Sequence, residues 1–424
     1  MLLSLLVFLL LLLLGMPVVF AIAIGGMVFF FQQPSLPLTM PAQLLLSETQ
    51  NFSLLAIPAF ILAGNLMNEL GVTRRLILFA RALTGHLRGG LAQVSVVLSL
   101  LMGGVSGSAI ADATMQARIL GPEMVKRGYT AAFVAALQGF TGLIVVAIPP
   151  SIGLILYGSI GQVSIGQLFA GGIGVGVLLA LVYMVVVALL ARVRGYLPEL
   201  PQRPTLQETL PALWGGLWAV LFPILLLLAL RTGVFVPSEV GAAAVVYALL
   251  VGAIYRELSW ERVARAFKNS ISDIGMVAFL IAASALLGYG MKWEMIPQSL
   301  SQFLVGMVED PHVALAIILL GLLLLGTILD STVMIILLTP ILVPAAKALG
   351  LDLVHFGVLM VMTSALGLLT PPVGLSMYSV CSVMRCSVEA YIQEGWPFFV
   401  AVLGVLLLAY FFPSIVTFLP RLLF

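Results

Sequence analysis

Two short stretches of this sequence gather oxygen donors where the surroundings are otherwise apolar. Ser106-Gly107-Ser108 lies inside the apolar stretch from Leu91 to Leu120, and Asp330-Ser331-Thr332 inside that from Val313 to Leu349. Hydroxyls, carboxylates and main-chain carbonyls are hard ligands, and a cage of them suits an alkali cation. Each stretch is followed by a proline pair, Pro149-Pro150 and Pro371-Pro372, in the middle of a further apolar run. Proline offers no amide hydrogen and its ring clashes with the preceding turn, so the helix breaks and carbonyls lose their partners. Lipid supplies none, so something polar must. Interrupted helices at mid-membrane depth are where secondary transporters hold substrates and ions. A proline kink satisfied by neighbouring helices is the plainer alternative. Close packing by small residues is the corresponding alternative for Ser106, Gly107 and Ser108.

The arrangement occurs twice and in register. Gly153-Leu154 leads to Tyr157 as Gly374-Leu375 leads to Tyr378, and Ser164 precedes Gly172 as Ser387 precedes Gly395. Oxygen-rich stretch and proline pair are also similarly separated in both halves, which predicts that the two kinds of element meet. Of the 17 acidic residues, Asp112 and Asp330 are the two that fall inside these stretches. An ionisable group at membrane depth is a functional candidate as a cation ligand, or as a proton or cation carrier in the case of Asp112. Asp330, directly before Ser331-Thr332, could equally cap a helix. Asn65 is a further polar candidate, or a bond to a neighbouring helix.

The elements that must position these groups are membrane helices. With 62% hydrophobic and 8% charged residues the chain is an integral membrane protein, and runs near twenty apolar residues mark helical spans. No dyad alternation suggests a barrel. No basic block with interleaved aromatics suggests nucleic acid. Cys381 and Cys386 are wrongly spaced for a zinc cluster and read as ordinary thiols. No cation precedes the apolar N-terminal run, which continues to Phe31, so it reads as a retained span and not a cleaved signal.

Spans are expected near Leu2 to Phe31, Phe52 to Leu70, Thr130 to Tyr157, Gln167 to Ala191, Leu213 to Leu230, Pro237 to Tyr255, Ile271 to Gly290, Leu353 to Val380 and Pro397 to Phe412. Residues 91–120 and 313–349 read as re-entrant hairpins, because their arms are short and their polar tips need protein or a cavity around them. On that topology all of the 19 Lys and Arg residues except Arg231, Lys292, Lys347 and Arg421 fall on one side. The positive-inside rule makes that side cytoplasmic, with the N-terminus inside and the C-terminus outside. Thr73 to Arg88 and Trp293 to Val308 are amphipathic and read as interfacial helices or short tilted spans. Residues 1–195 and 233–424 then form two inverted repeats, each with a hairpin and a broken helix (130–157 and 353–380), joined by a linker and span at 196–232.

The set Gly104-Val105-Ser106-Gly107-Ser108-Ala109, Ile148-Pro149-Pro150-Ser151, Leu329-Asp330-Ser331-Thr332, Leu338-Thr339-Pro340-Ile341-Leu342 with Pro344, and Leu369-Thr370-Pro371-Pro372-Val373-Gly374-Leu375 resembles the large membrane subunit of TRAP transporters, the DctM family. The resemblance covers essentially the whole chain. It implies an elevator-type importer of organic acids in the bacterial inner membrane, driven by sodium ions. It also implies a small four-helix membrane subunit, expected as a separate chain, and a periplasmic substrate-binding protein. By that resemblance Ser106, Gly107 and Ser108 with Pro149 and Pro150 form one sodium site, and Asp330, Ser331 and Thr332 with Thr370, Pro371, Pro372 and Gly374 the other. The acid would sit between them, against Asn65, Ser106, Ser108, Ser151, Gly153, Ser331 and Gly374. The family's usual aspartate-proline pair reads Asp330-Ser331 here.

Other classes make different demands. Gly104-Val105-Ser106-Gly107 looks like the nucleophile motif of an intramembrane serine protease, but His86, His312 and His355 fall in loops or at span ends. No Gly-x-x-x-x-Gly-Lys-Ser/Thr phosphate loop is present for ATP-driven pumping. A stand-alone sodium- or proton-coupled anion carrier and a passive channel remain as alternatives.

Overall fold

The computed structural model describes residues 1–37, 39–50, 52–200, 202–307 and 310–424. Among these residues the secondary structure is helical throughout. The first half runs through α1 (Leu2–Leu13), α2 (Val18–Gln32), α3 (Met40–Thr49), α4 (Ala56–Glu69), α5 (Val72–Thr84), α6 (Gly90–Met102), α7 (Ala109–Ile119), α8 (Gly121–Lys126), α9 (Ala131–Ala147), α10 (Ile152–Gly161) and α11 (Ile165–Arg194). The second continues with α12 (Leu206–Arg231), α13 (Pro237–Ile254), α14 (Trp260–Trp293), α15 (Ile296–Met307), α16 (Pro311–Gly326) and α17 (Ser331–Ala348). It ends with α18 (Leu353–Gly367), α19 (Leu375–Met384), α20 (Val388–Phe411) and α21 (Ser414–Leu423). Among the described residues six helices are long and apolar enough to cross a membrane, and the bent pair α9–α10 brings the number to seven.

The N-terminal run corrects the expectation of a single crossing from Leu2 to Phe31. Gly15, at φ +82°, and Pro17 end α1 and restart the chain as α2. The two pack antiparallel, with Gly25 so close to Phe8 that an added Cβ would stand 2.9 Å from its Cβ. Twelve residues make α1 only about 18 Å long, well short of the hydrocarbon thickness. α2 lies along the last turns of α14, and the Met1 amine donates to Glu294 at 2.5 Å. Met1 therefore sits at the Lys292 end of α14, away from Arg256, Arg262 and Arg265, and not on the arginine-rich face where one crossing would have put it. A short 3-10 turn at Phe52–Leu55 precedes α4, where one unbroken span was expected. α3 was not anticipated.

Helix pairs stand where the two hairpins were expected, α6 with α7 and α16 with α17, but α17, at 18 residues, is itself long and apolar enough to cross a membrane, against the expectation of short arms. α6 and α7 straddle α9, and α16 and α17 straddle α18. Each tip turns back beside the break of its own straddled helix. Gly103 lies so close to Ile148 that an added Cβ would come within 2.4 Å of it, and Gly107 would meet the Pro150 carbonyl at 2.5 Å. In the second half the Thr327 carbonyl accepts from the amides of Val373 and Gly374 at 3.2 and 3.0 Å. Both proline pairs carry a cis peptide bond. The broken helices are α9–α10, bent by 41°, and α18–α19, interrupted at residues 368–374.

The halves then exchange contacts. α7 packs on α19, with Thr114 Oγ1 and Ser379 Oγ 2.8 Å apart, and α17 packs on α10. Of the amphipathic stretches, Thr73 to Arg88 contains α5 and Trp293 to Val308 contains α15; Val308 lies outside the described residues. α5 is fixed at both ends. Arg75 reaches Glu257 and the Tyr255 carbonyl at 3.4 and 3.3 Å and lies 3.9 Å from the centre of the Tyr255 ring. Arg81 pairs with Glu123, and with Glu199 at 3.3 Å. A hydrogen bond from Arg262 lowers the Glu257 carboxyl below its usual range, whereas burial raises that of Glu199 against the pull of Arg81. The expected linker is thus held down, with the amides of Glu199 and Leu200 donating to the Gly85 carbonyl at 2.9 and 3.0 Å.

Candidate functional site

The two hairpin tips face a common cavity of about 760 Å³. Its walls come from α4 and α14 on one side and from the hairpins on the other, with Ile152 and Gly153 from the first break and Val361 and Leu368 from the second helix. Of the residues expected at a site, the cavity is lined by Asn65, Ser106, Gly107, Ser108, Asp112, Gly153, Asp330, Ser331 and Thr332. Pro149, Pro150, Ser151, Thr370, Pro371, Pro372 and Gly374 are not on this lining; Ser151 and Gly374 are buried, whereas Pro371 and Pro372 are exposed. Ser151 and Gly374, expected against the substrate, are thus not on the lining of this cavity. Ser151 is buried and its hydroxyl accepts from the Leu154 amide at 3.4 Å, capping α10. Gly374, at φ +46°, spends its amide on Thr327. Thr370 Oγ1 donates to the Gly367 carbonyl at 2.9 Å.

Local chemistry explains why the lining groups stand where they do. Ser108 caps α7 and Asp330 caps α17, its carboxylate accepting from the Thr332 amide at 2.8 Å. Capping and cavity exposure are thus compatible at Asp330. Ser106 Oγ is buried without a hydrogen-bond partner, so a hard ligand remains available at the first tip. Asn65 donates to Ser270 Oγ at 3.0 Å and to Asp273 Oδ2 at 3.3 Å, binding α4 to α14 at the cavity wall. Asp112 is buried between the arms of the first hairpin. Its Oδ2 accepts from Ser99 at 2.9 Å and Gln116 at 2.8 Å, while Oδ1 has no partner. Gln138 of α9 continues this buried seam by donating to Ser95 at 2.8 Å.

Sequence reading missed two charged groups on the wall. Asp273 belongs to the span expected from Ile271 to Gly290, where a lone carboxylate in an apolar run was the available signal. Arg118 stands at the end of α7, and only the fold turns it towards the cavity. Together with Asp112 and Asp330 they place three carboxylates and one guanidinium on the lining. Among the described residues no group of three or more His, Cys, Asp or Glu side chains could hold a metal ion, so a cation here would be held largely by hydroxyls and carbonyls, with at most a carboxylate or two beside them. Among the described residues no histidine is hydrogen-bonded to Ser106. His355 is hydrogen-bonded to the Ala409 carbonyl at 2.9 Å, His312 stacks edge-on against Tyr410, and Ser106 has no base.

Residues 5–415 match the DctM component of the tripartite ATP-independent periplasmic transporters. The chain belongs to the DctM family. Among its relatives, the sialic acid TRAP transporter large permease SiaM of Vibrio cholerae is 34% identical over 411 residues, covering 96% of this chain and 95% of the relative. The C4-dicarboxylate large permease DctM of Pseudomonas aeruginosa is 34% identical over 378 residues, covering 89% and 88%. A solved structure of the antimetabolite efflux pump MtrF from Neisseria gonorrhoeae superposes with a TM-score of 0.58 at 14% identity, over 87% of this chain and 83% of that one. That likeness is one of fold. A DctM chain is a large permease component of a secondary transporter, not an enzyme, and the protease reading falls away.

Proposed function

We propose that this DctM chain imports an organic acid coupled to sodium ions, as the large membrane subunit of a transporter completed by a small four-helix subunit and a periplasmic binding protein. One observation carries the reading: two hairpin tips, each set against a helix break, meet at a single cavity. Tip hydroxyls and break carbonyls supply sodium ligands at Ser106 to Ser108 with Pro149-Pro150, and at Asp330 to Thr332 with Thr370 to Gly374. The acid sits between the tips. A wall with three carboxylates and one guanidinium repels an anion, so cations must accompany it, which favours co-transport over bare anion flux.

The exchanged packing of α7 on α19 and α17 on α10 supports a division into inverted repeats, residues 1–195 and 233–424. It also supports movement of hairpins and broken helices as one body against a scaffold of α4, α13 and α14. In the bacterial inner membrane the arginine-rich face is cytoplasmic. On that orientation Phe424 beside Gly166 supports the expected periplasmic C-terminus, and Met1 beside Glu294 supports a periplasmic N-terminus in place of the cytoplasmic one expected.

The test is uptake into proteoliposomes holding this chain, the small subunit and the binding protein, with sialic acid and succinate as the first acids offered. Uptake that needs both an inward sodium gradient and the binding protein is expected. Uptake indifferent to the binding protein would make the chain a stand-alone carrier, and uptake indifferent to sodium would remove the coupling ion.

A further inference from the structure

Arg118, like Arg74, Arg88, Arg192 and Arg256, has no ion pair among the described residues, but it stands on the cavity lining. Arg75, Arg81, Arg127, Arg194, Arg262 and Arg265 are each tied to a glutamate. Arg118 is exposed, faces the cavity, and has no hydrogen bond or ion pair among the described residues. The carboxylates that share the cavity are engaged elsewhere, Asp273 by Asn65, Asp112 by Ser99 and Gln116, and Asp330 by the Thr332 amide. Its placement on α7 is regular. Ala111, Met115 and Arg118 all line the cavity at i, i+4 and i+7, one stripe of the helix, and side chains on a helix lean towards its N-terminus, here the hairpin tip. Ten residues of helix put Arg118 about 15 Å from Ser108, further than a four-carbon acid reaches.

The cavity extends past the first tip towards the arginine-rich face, while Ile61, Val277 and Ile335 line it on the other side. On α4 its lining residues continue to Asn68, on α7 to Arg118 and Ile119, and on α14 they stop at Val277. Asn68, Arg118 and Ile119 lie between the tips and the arginine-rich face. We propose that Arg118 is a second carboxylate-binding site on the release path, which takes the acid from the hairpin tips before it leaves for the cytoplasm. A guanidinium presents two parallel N–H donors that match a carboxylate, and it stays charged at any relevant pH. It supplies the positive charge that the rest of the wall lacks. The inference rests on the transport reading above and adds a sidedness to it.

The test uses the reconstituted three-component system and whichever of sialic acid or succinate it transports. Half-saturation is measured separately for acid presented outside by the binding protein and for acid loaded in the lumen in a counterflow assay. In R118Q the luminal value should rise about 10- to 100-fold, the range for losing a charged hydrogen-bond pair, with the external value unchanged. R118K keeps the charge without the fork and should fall between. Arg118 is exposed and unpaired, so neither change removes a packing contact. Unchanged luminal half-saturation in R118Q, or equal shifts on both sides, would overturn the proposal. Failure of the unaltered protein to take up either acid would instead defeat the transport reading.

Discussion

Gly107 is the residue at which the first hairpin tip is tested most directly. It has φ +61°, and a Cβ built there would stand 2.5 Å from the Pro150 carbonyl oxygen, a main-chain atom that cannot swing aside. Gly107→Ala therefore meets two costs. A left-handed alanine costs about 1–2 kcal/mol, and forcing a methyl into closed packing about 1–3 kcal/mol more. Together, about 2–5 kcal/mol against the closed tip corresponds to a population change of roughly 30- to 4,000-fold. If the tip and break must be closed to hold sodium, the sodium concentration for half-maximal uptake should rise within that range. Gly128→Ala is the matched control, since Gly128 has φ +90° with nothing within 4 Å of an added Cβ, so it bears the backbone cost alone and away from the cavity. An alanine at Gly107 with wild-type sodium dependence, or one no worse than Gly128→Ala, would refute the argument that the tip must seat against Pro150.

Two further outcomes follow from the same geometry. Asp330→Asn keeps a good helix cap and removes the charge, so α17 should remain intact by protease protection while the sodium requirement weakens; unaltered sodium dependence would take Asp330 out of the ion site. Met115 and Met276 line the cavity from the hairpin and from α14, and a disulfide or short cross-link between cysteines at these positions should stop turnover reversibly. Transport at full rate with the link in place would mean that the hairpin does not travel against α14.

The breaks and hairpins were legible because proline chemistry and polar tips in apolar runs are local signals, strong enough to be read residue by residue. Their meeting was legible from the repeated spacing. The N-terminal pair was not, since Leu2 to Phe31 is apolar throughout and only Gly15 and Pro17 mark the turn, a signal that one long span can also carry. Arg118 was counted with the cationic face because its position along the chain says nothing about which way its helix turns. Asn65 shows the reverse case: the bland reading, a bond to a neighbouring helix, and the functional one, a place on the cavity wall, are both true of one side chain. Ser151 was read as a ligand from its neighbourhood, and what the fold adds is that its hydroxyl also caps α10.

The double attachment of α5 sets a limit on distance. Its 13 residues form a stiff rod of about 20 Å. One end is fastened to the loop before α14 through Arg75, and the other to the base of the first hairpin through Arg81. While both fastenings hold, a displacement of the hairpin relative to α13 and α14 is expected to swing in an arc about the joint at Gly71, whose φ is +80°. The stroke available to the first tip is thereby set by a lever length written into the sequence between Gly71 and Gly85. Lengthening α5 by a turn would change how far the cavity moves without altering a single residue that lines it.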